Sequence, residues 1–128
     1  PLETTNQWYA VAKIAGITAL RADIEGGPWP YAGRQFAAVV VTNYLHRPLF
    51  PALLAALAPG GVLIYETFAL GNEVFGRPAN PDFLLQRGEL LCVAAGTRIL
   101  AFEDIHVEHP RSAVVQRICA RLADGSIA

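Results

Sequence analysis

Two apolar runs flanking a helix signal constrain this chain more than any other feature. Residues 36–68 read FAAVVVTNYLHRPLFPALLAALAPGGVLIYETF. Residues 36–41 are continuously apolar and β-branched at their end, and residues 61–65 (GVLIY) form a second such run. A run without polar alternation suits a strand buried on both faces, as in a parallel sheet. Between the runs, Pro48 suits a first helical turn, where a missing N–H costs nothing. Phe50, Leu53, Leu54 and Leu57 then recur at helical spacing and make one stripe. Pro59-Gly60-Gly61 ends the helix. The pattern predicts a strand–helix–strand crossover with parallel strands. Ligands of such sheets bind beyond the carboxyl ends of the strands. Those ends carry Thr42, Asn43, Tyr44 and His46 on one run, and Glu66 and Thr67 on the other.

A chain of 128 residues is expected to form one domain with a real core. A formal net charge of −1 gives no field to attract nucleic acid or an acidic membrane surface. Cys92 and Cys119 lack metal-type spacing, so both are expected to be buried free thiols in a reducing compartment. No apolar run reaches the ~20 residues of a membrane span, and none reads as a signal peptide. A cytoplasmic protein is expected. The sequence holds no methionine, which is read here as the mark of a processed or partial chain.

Before the central unit, residues 17–22 (ITALRA) form a short strand candidate that ends at Asp23. Residues 25–30 are punctuated by Gly and Pro and read as a loop. After Phe68, residues 71–80 (GNEVFGRPAN) form a ten-residue loop, the length of a lid. Asn80-Pro81-Asp82 reads as N-cap, first turn and first-turn acid of a short helix through Arg87. A second helical piece covers residues 89–95, with Gly96 as its stop. Residues 97–107 and 113–122 are strand candidates joined by a short turn, so they pair as an antiparallel hairpin.

In this order the segments resemble the carboxyl-terminal part of a class I S-adenosylmethionine-dependent methyltransferase. ALRADIEGGPWP resembles that family's third strand and the acidic loop after it, and FAAVVVTNYLHR its fourth strand. LLAALAPGGVLIYETF resembles its fifth-strand segment, with the recurrent L-x-P-G-G-x-L phrase. GNEVFGRPANPDFLLQRGELL resembles the lid and following helix of bacterial small-molecule enzymes, including the tellurite-resistance type. The closing hairpin resembles the sixth and seventh strands, the last of which is antiparallel. The resemblance implies an α/β fold: a Rossmann-like methyltransferase sheet of parallel strands with an antiparallel carboxyl-terminal hairpin and its amino-terminal strands missing. The family's strand order is 3-2-1-4-5-7-6, so the fourth strand is expected either to present an open edge that invites a homodimer or to be closed directly by the third strand. The family's glycine-rich cofactor loop has no counterpart in the sequence.

By this resemblance, Asp23 would accept a hydrogen bond from the adenine amino group of S-adenosylmethionine, and Ile24 would pack on the ring. Otherwise Asp23 is a solvated strand end. Thr42 and Asn43 would hold the methionine portion, or else satisfy local backbone groups. Tyr44 would wall the methyl-transfer channel. His46 is a candidate general base, since histidine titrates near neutrality, or a plain loop histidine. Glu66, Glu73 and Arg77 would contact a small-molecule acceptor, or stay solvated. His106 and His109 read as structural or exposed. No metal-ligand spacing occurs.

The sulfonium of the cofactor is already activated, so methyl transfer depends mostly on positioning and exclusion of water. No obligatory triad is therefore expected. Two readings remain: a small-molecule methyltransferase, or a non-catalytic domain of the same fold acting as a dimeric binding module. A nicotinamide enzyme would need a G-x-G-x-x-G after a strand, and a phosphate-loop enzyme a G-K-[ST]. Neither motif occurs.

Overall fold

A computed structural model describes residues 16–125. The chain falls into two compact units, Pro1–Pro30 and Tyr31–Ala128. Within the first unit, residues 17–22 do not form the expected strand. A strand requires a ladder partner, and none of the described strands pairs with this segment. Ile17 and Leu20 remain exposed. The chain then turns at Asp23, whose Oδ1 accepts the N–H groups of Glu25 (3.1 Å) and Gly26 (3.0 Å). The expected loop over 25–30 is present.

The second unit holds the described core and is built on one four-stranded sheet. Strand β1 (Phe36–Thr42) pairs in parallel with β2 (Leu57–Phe68), as the two apolar runs predict. The intervening helix is shorter than its stripe suggests. A 3₁₀ turn over Arg47–Leu49 leads into α1 (Phe50–Ala55), and Leu57 already belongs to β2. The reason lies in the sheet: the Ala56 carbonyl accepts the Phe36 N–H at 2.7 Å, which draws the chain out of the helix and into the ladder. Pro59-Gly60-Gly61 therefore does not end the helix but forms a bulge in β2. The register jumps there from Phe36↔Leu57 to Ala38↔Val62. Gly60 takes φ +77°, and a Cβ on Gly61 would lie 2.7 Å from the Ala58 carbonyl oxygen, so both positions suit glycine alone.

After β2 the chain makes a 3₁₀ turn at Asn72–Val74. A second turn, Pro81–Phe83, is capped as expected, with Asn80 Oδ1 accepting the Asp82 N–H at 2.9 Å. It does not extend to Arg87. Leu84 is extended, and Leu85 exchanges hydrogen bonds with Phe68 and Leu70, so backbone pairing at the end of β2 stops the helix. Helix α2 (Glu89–Val93) follows, then β3 (Arg98–Val107) and β4 (Ala113–Arg121), which form the expected antiparallel hairpin. Strand β4 also pairs antiparallel with β2, so the order is β1-β2-β4-β3.

Within this unit the helices cover one face of the sheet. Leu63, Tyr65 and Thr67 of β2 register with Ala120, Ile118 and Gln116 of β4, and all six are buried. Phe50 of α1 packs edge-on to the Tyr65 ring at 5.8 Å, and the Leu90 N–H of α2 donates to Gln116 Oε1 at 2.7 Å. Both helices thus lie on this face. On the opposite face Val40, Ile64, Glu66, Arg117 and Cys119 are not buried, while Val115 is buried near the β3–β4 turn. Burial on both faces, expected of the two runs, is therefore corrected. Val40 is 61% exposed, and β1 contains no fully buried residue. The cysteines are free, but Cys92 is exposed, because Leu90 takes the inward position of α2, and Cys119 of β4 is half-buried on the face away from the helices. Among the described residues, no helix is long and apolar enough to cross a membrane.

Candidate functional site

The carboxyl ends of β1 and β2 bring the two polar clusters side by side, with Thr42 registered on Glu66. Beyond Thr42 the backbone bends. Asn43 has φ +53°, the one positive φ at a non-glycine position among the described residues. Asparagine tolerates this left-handed region better than most residues. The bend spends the Asn43 N–H on the Glu66 carbonyl at 2.8 Å, which ties the end of β1 to β2.

A concavity of about 240 Å³ opens at this end of the sheet. Phe68, Val107, Ala113 and Val115 supply apolar walls. Its polar groups are Asn43, Glu66, His109, Arg111 and Arg117. They come from the bend after β1, from β2 and β4, and from the turn between β3 and β4. Arg117 Nε lies 3.2 Å from Glu66, and Arg117 Nη1 lies 3.3 Å from Glu103. Partial burial works against the Arg117 charge, but the hydrogen bonds and charges of the two carboxylates outweigh it and hold the guanidinium above its ordinary value. A second shallow groove of about 220 Å³, lined by Ile64, Ala101 and Cys119, continues along the same face beyond Arg117.

The structure brings together only part of the predicted set. Asn43 and Glu66 line the concavity, with Thr42 beside them. Thr67 does not: strand alternation turns it to the opposite face, where it is buried. Tyr44, His46, Glu73 and Arg77 do not line the concavity either. The Tyr44 carbonyl accepts the Tyr65 hydroxyl at 2.6 Å. Burial, with the nearby Glu89 charge, pushes the Tyr65 phenol up to about 12. His46 precedes the Arg47–Leu49 turn and accepts the Leu49 N–H through its carbonyl. That segment is fixed by Arg47, which grips Glu89 through two nitrogens at 2.7 and 2.9 Å and also donates to the carbonyls of Asp82 and Leu84. Burial alone would raise the Glu89 carboxyl, but Arg47 and the Gln86 amide overrule it and lower its pKa.

In the loop, Glu73 Oε2 accepts the Gly71 N–H at 2.8 Å, while Arg77 is exposed. The loop is pinned by Asn72, whose side chain bridges the Pro78 carbonyl and the Val114 N–H. Phe75 stacks on His106 at 4.6 Å. In the first unit, the amides of Gly26 and Glu25 lower the Asp23 pKa, and Ile24 stands in that turn. Among the described residues, no three His, Cys, Asp or Glu side chains could share a metal ion.

Sequence reasoning missed His109, Arg111 and Arg117. Glu66 and Arg117 are separated by fifty-odd residues and meet only through the β2–β4 register. The available signal was the short turn at 109–111, which carries a histidine and an arginine between two strands. No protein-family model and no curated protein matches this chain.

Proposed function

We propose that this chain is a domain of an S-adenosylmethionine-dependent methyltransferase acting on a small-molecule acceptor. One observation carries the reading. The order β1-β2-β4-β3, with the last sequential strand reversed between its neighbours, is the order that the sequence resemblance implies for the fourth, fifth, seventh and sixth strands. The polar ends of β1 and β2 then fall where such sheets bind ligands. Thr42 and Asn43 are assigned to the methionine portion of the cofactor, and Asp23 with Ile24 to the adenine. Glu66 is assigned to the acceptor. Tyr44 and His46 remain the candidates for the transfer channel and the base, and Glu73 and Arg77 the candidates on the lid.

Calorimetric titration with S-adenosylhomocysteine tests this. Saturable binding is expected, weakened by Asp23→Ala. Asp23→Asn keeps an oxygen for the Glu25 and Gly26 amides, so it separates a role toward adenine from a role in the turn. Absence of heat in the unmodified chain would rule out a working cofactor site.

A second reading is favoured by the outer edge of β1: a non-catalytic binding module that dimerises. Because the Asn43 N–H faces β2, alternation turns the backbone groups of Ala38, Val40 and Thr42 outward. Among the described residues no strand pairs with that edge, and FAAVVVT holds neither charge nor proline to blunt it. Sedimentation equilibrium tests the second reading. A monomer across the concentration range removes the second reading.

A further inference from the structure

The concavity at the β3–β4 turn is lined by two arginines, of which only Arg117 is paired with carboxylates. Glu66, its one carboxylate, is already paired with Arg117. His109 and Arg111 also line it, and neither makes a hydrogen bond or ion pair among the described residues. The group left without a complement is therefore a cation. The walls below it are Phe68, Val107 and Val115, the last of them buried. The volume, about 240 Å³, lies below the ~300–1,000 Å³ of pockets for drug-sized ligands, so its occupant is small. A few placed polar groups over an apolar floor are the usual build of a small-ligand site.

We propose that this concavity binds a small organic carboxylate with an apolar body. Arg111 receives the carboxylate in its planar fork, assisted by His109, and the body lies on Phe68, Val107 and Val115. Arginine fits this task because its paired donors match the two oxygens of a carboxylate. The site stands on its own geometry and not on the cofactor reading.

Benzoate and benzyl alcohol, nearly equal in shape and different in charge, make the probe pair. Each is titrated into isotope-labelled protein while backbone amide resonances are followed. Benzoate is expected to shift the amides around Glu66, Phe68, Val115 and Arg117. Benzyl alcohol should bind about tenfold more weakly, the worth of one charge-assisted hydrogen bond. Arg111→Gln should reduce benzoate to the level of the alcohol. Arg111 is exposed in a turn, so the fold should survive, and the variant's own amide spectrum checks that. Arg98→Gln, an exposed arginine outside the concavity, should leave binding unchanged. Equal binding of the two probes would overturn the proposal. So would shifts elsewhere only, or an Arg111→Gln variant that binds benzoate as well as the parent. No cofactor is present in this experiment, so its failure is distinct from failure of the methyltransferase reading.

Discussion

The two faces of the sheet are built from the same strands and solve opposite problems. On the covered face, Leu63, Tyr65, Ile118 and Ala120 lie under α1 and α2, and the polar groups among them are bonded. Gln116 is fully buried, yet its amide donates to the Gln86 carbonyl and to Asp104 and accepts the Leu90 N–H. Among the described residues, no buried side-chain polar atom lacks a partner. On the open face, Arg117 stands between Glu66 and Glu103 with all three part-exposed, and Ile64 is 43% exposed beside them. Buried polar groups must be satisfied at once, whereas exposed ones fall back on water. The covered face is thus committed to stability, and the open face keeps charge and apolar surface available to a ligand or partner.

Substitutions sharpen that contrast. Leu90→Ala, at a wholly buried position on the covered side, should cost about 2–5 kcal/mol in chemical denaturation. Ile64→Ala on the open face should cost under about 1 kcal/mol. Equal losses would mean that the open face is packed in solution. Glu89→Gln comes next. It weakens the grip of Arg47 and should cost on the order of 1.5 kcal/mol at neutral pH, since Arg47 is part-exposed.

Because the Glu89 carboxyl is depressed in the folded state, its contribution is complete above the ordinary value of 4.5 and is lost as the pH falls through the lower folded value. The Gln variant should therefore lose less stability on acidification than the parent. An unchanged acid profile would place the acid-sensitive group elsewhere. The smallest effect is expected for Arg117→Gln, under about 1 kcal/mol and fading with added salt, as for exposed pairs. A larger, salt-independent loss would show that the open face is not solvated.

Much of the sheet was legible beforehand. Residues 36–41 and 61–65 are so rich in β-branched and aromatic residues that strands were the only economical reading, and the hairpin followed from a short turn between two apolar runs. Helix ends were less legible. The stripe from Phe50 to Leu57 and the capped start at Asn80 both promised longer helices, and both were cut short by backbone pairing with the sheet. Local pattern cannot see such competition. Thr67 was misread for a related reason: it sits next to Glu66 in sequence, and strand alternation sends the two to opposite faces.

By itself the sequence determined where the strands run and where the polar clusters end them. These follow from side-chain periodicity and local backbone preference, which act over a few residues. Only the tertiary structure decided which polar residues meet. Glu66 faces Arg117, and His109 and Arg111 join Asn43, because the register of β2 against β4 fixes partners far apart in the chain. It also decided that one face of the sheet is packed and the other left open. Covering a strand takes a second element, and a strand's own residues do not say on which side that element will lie.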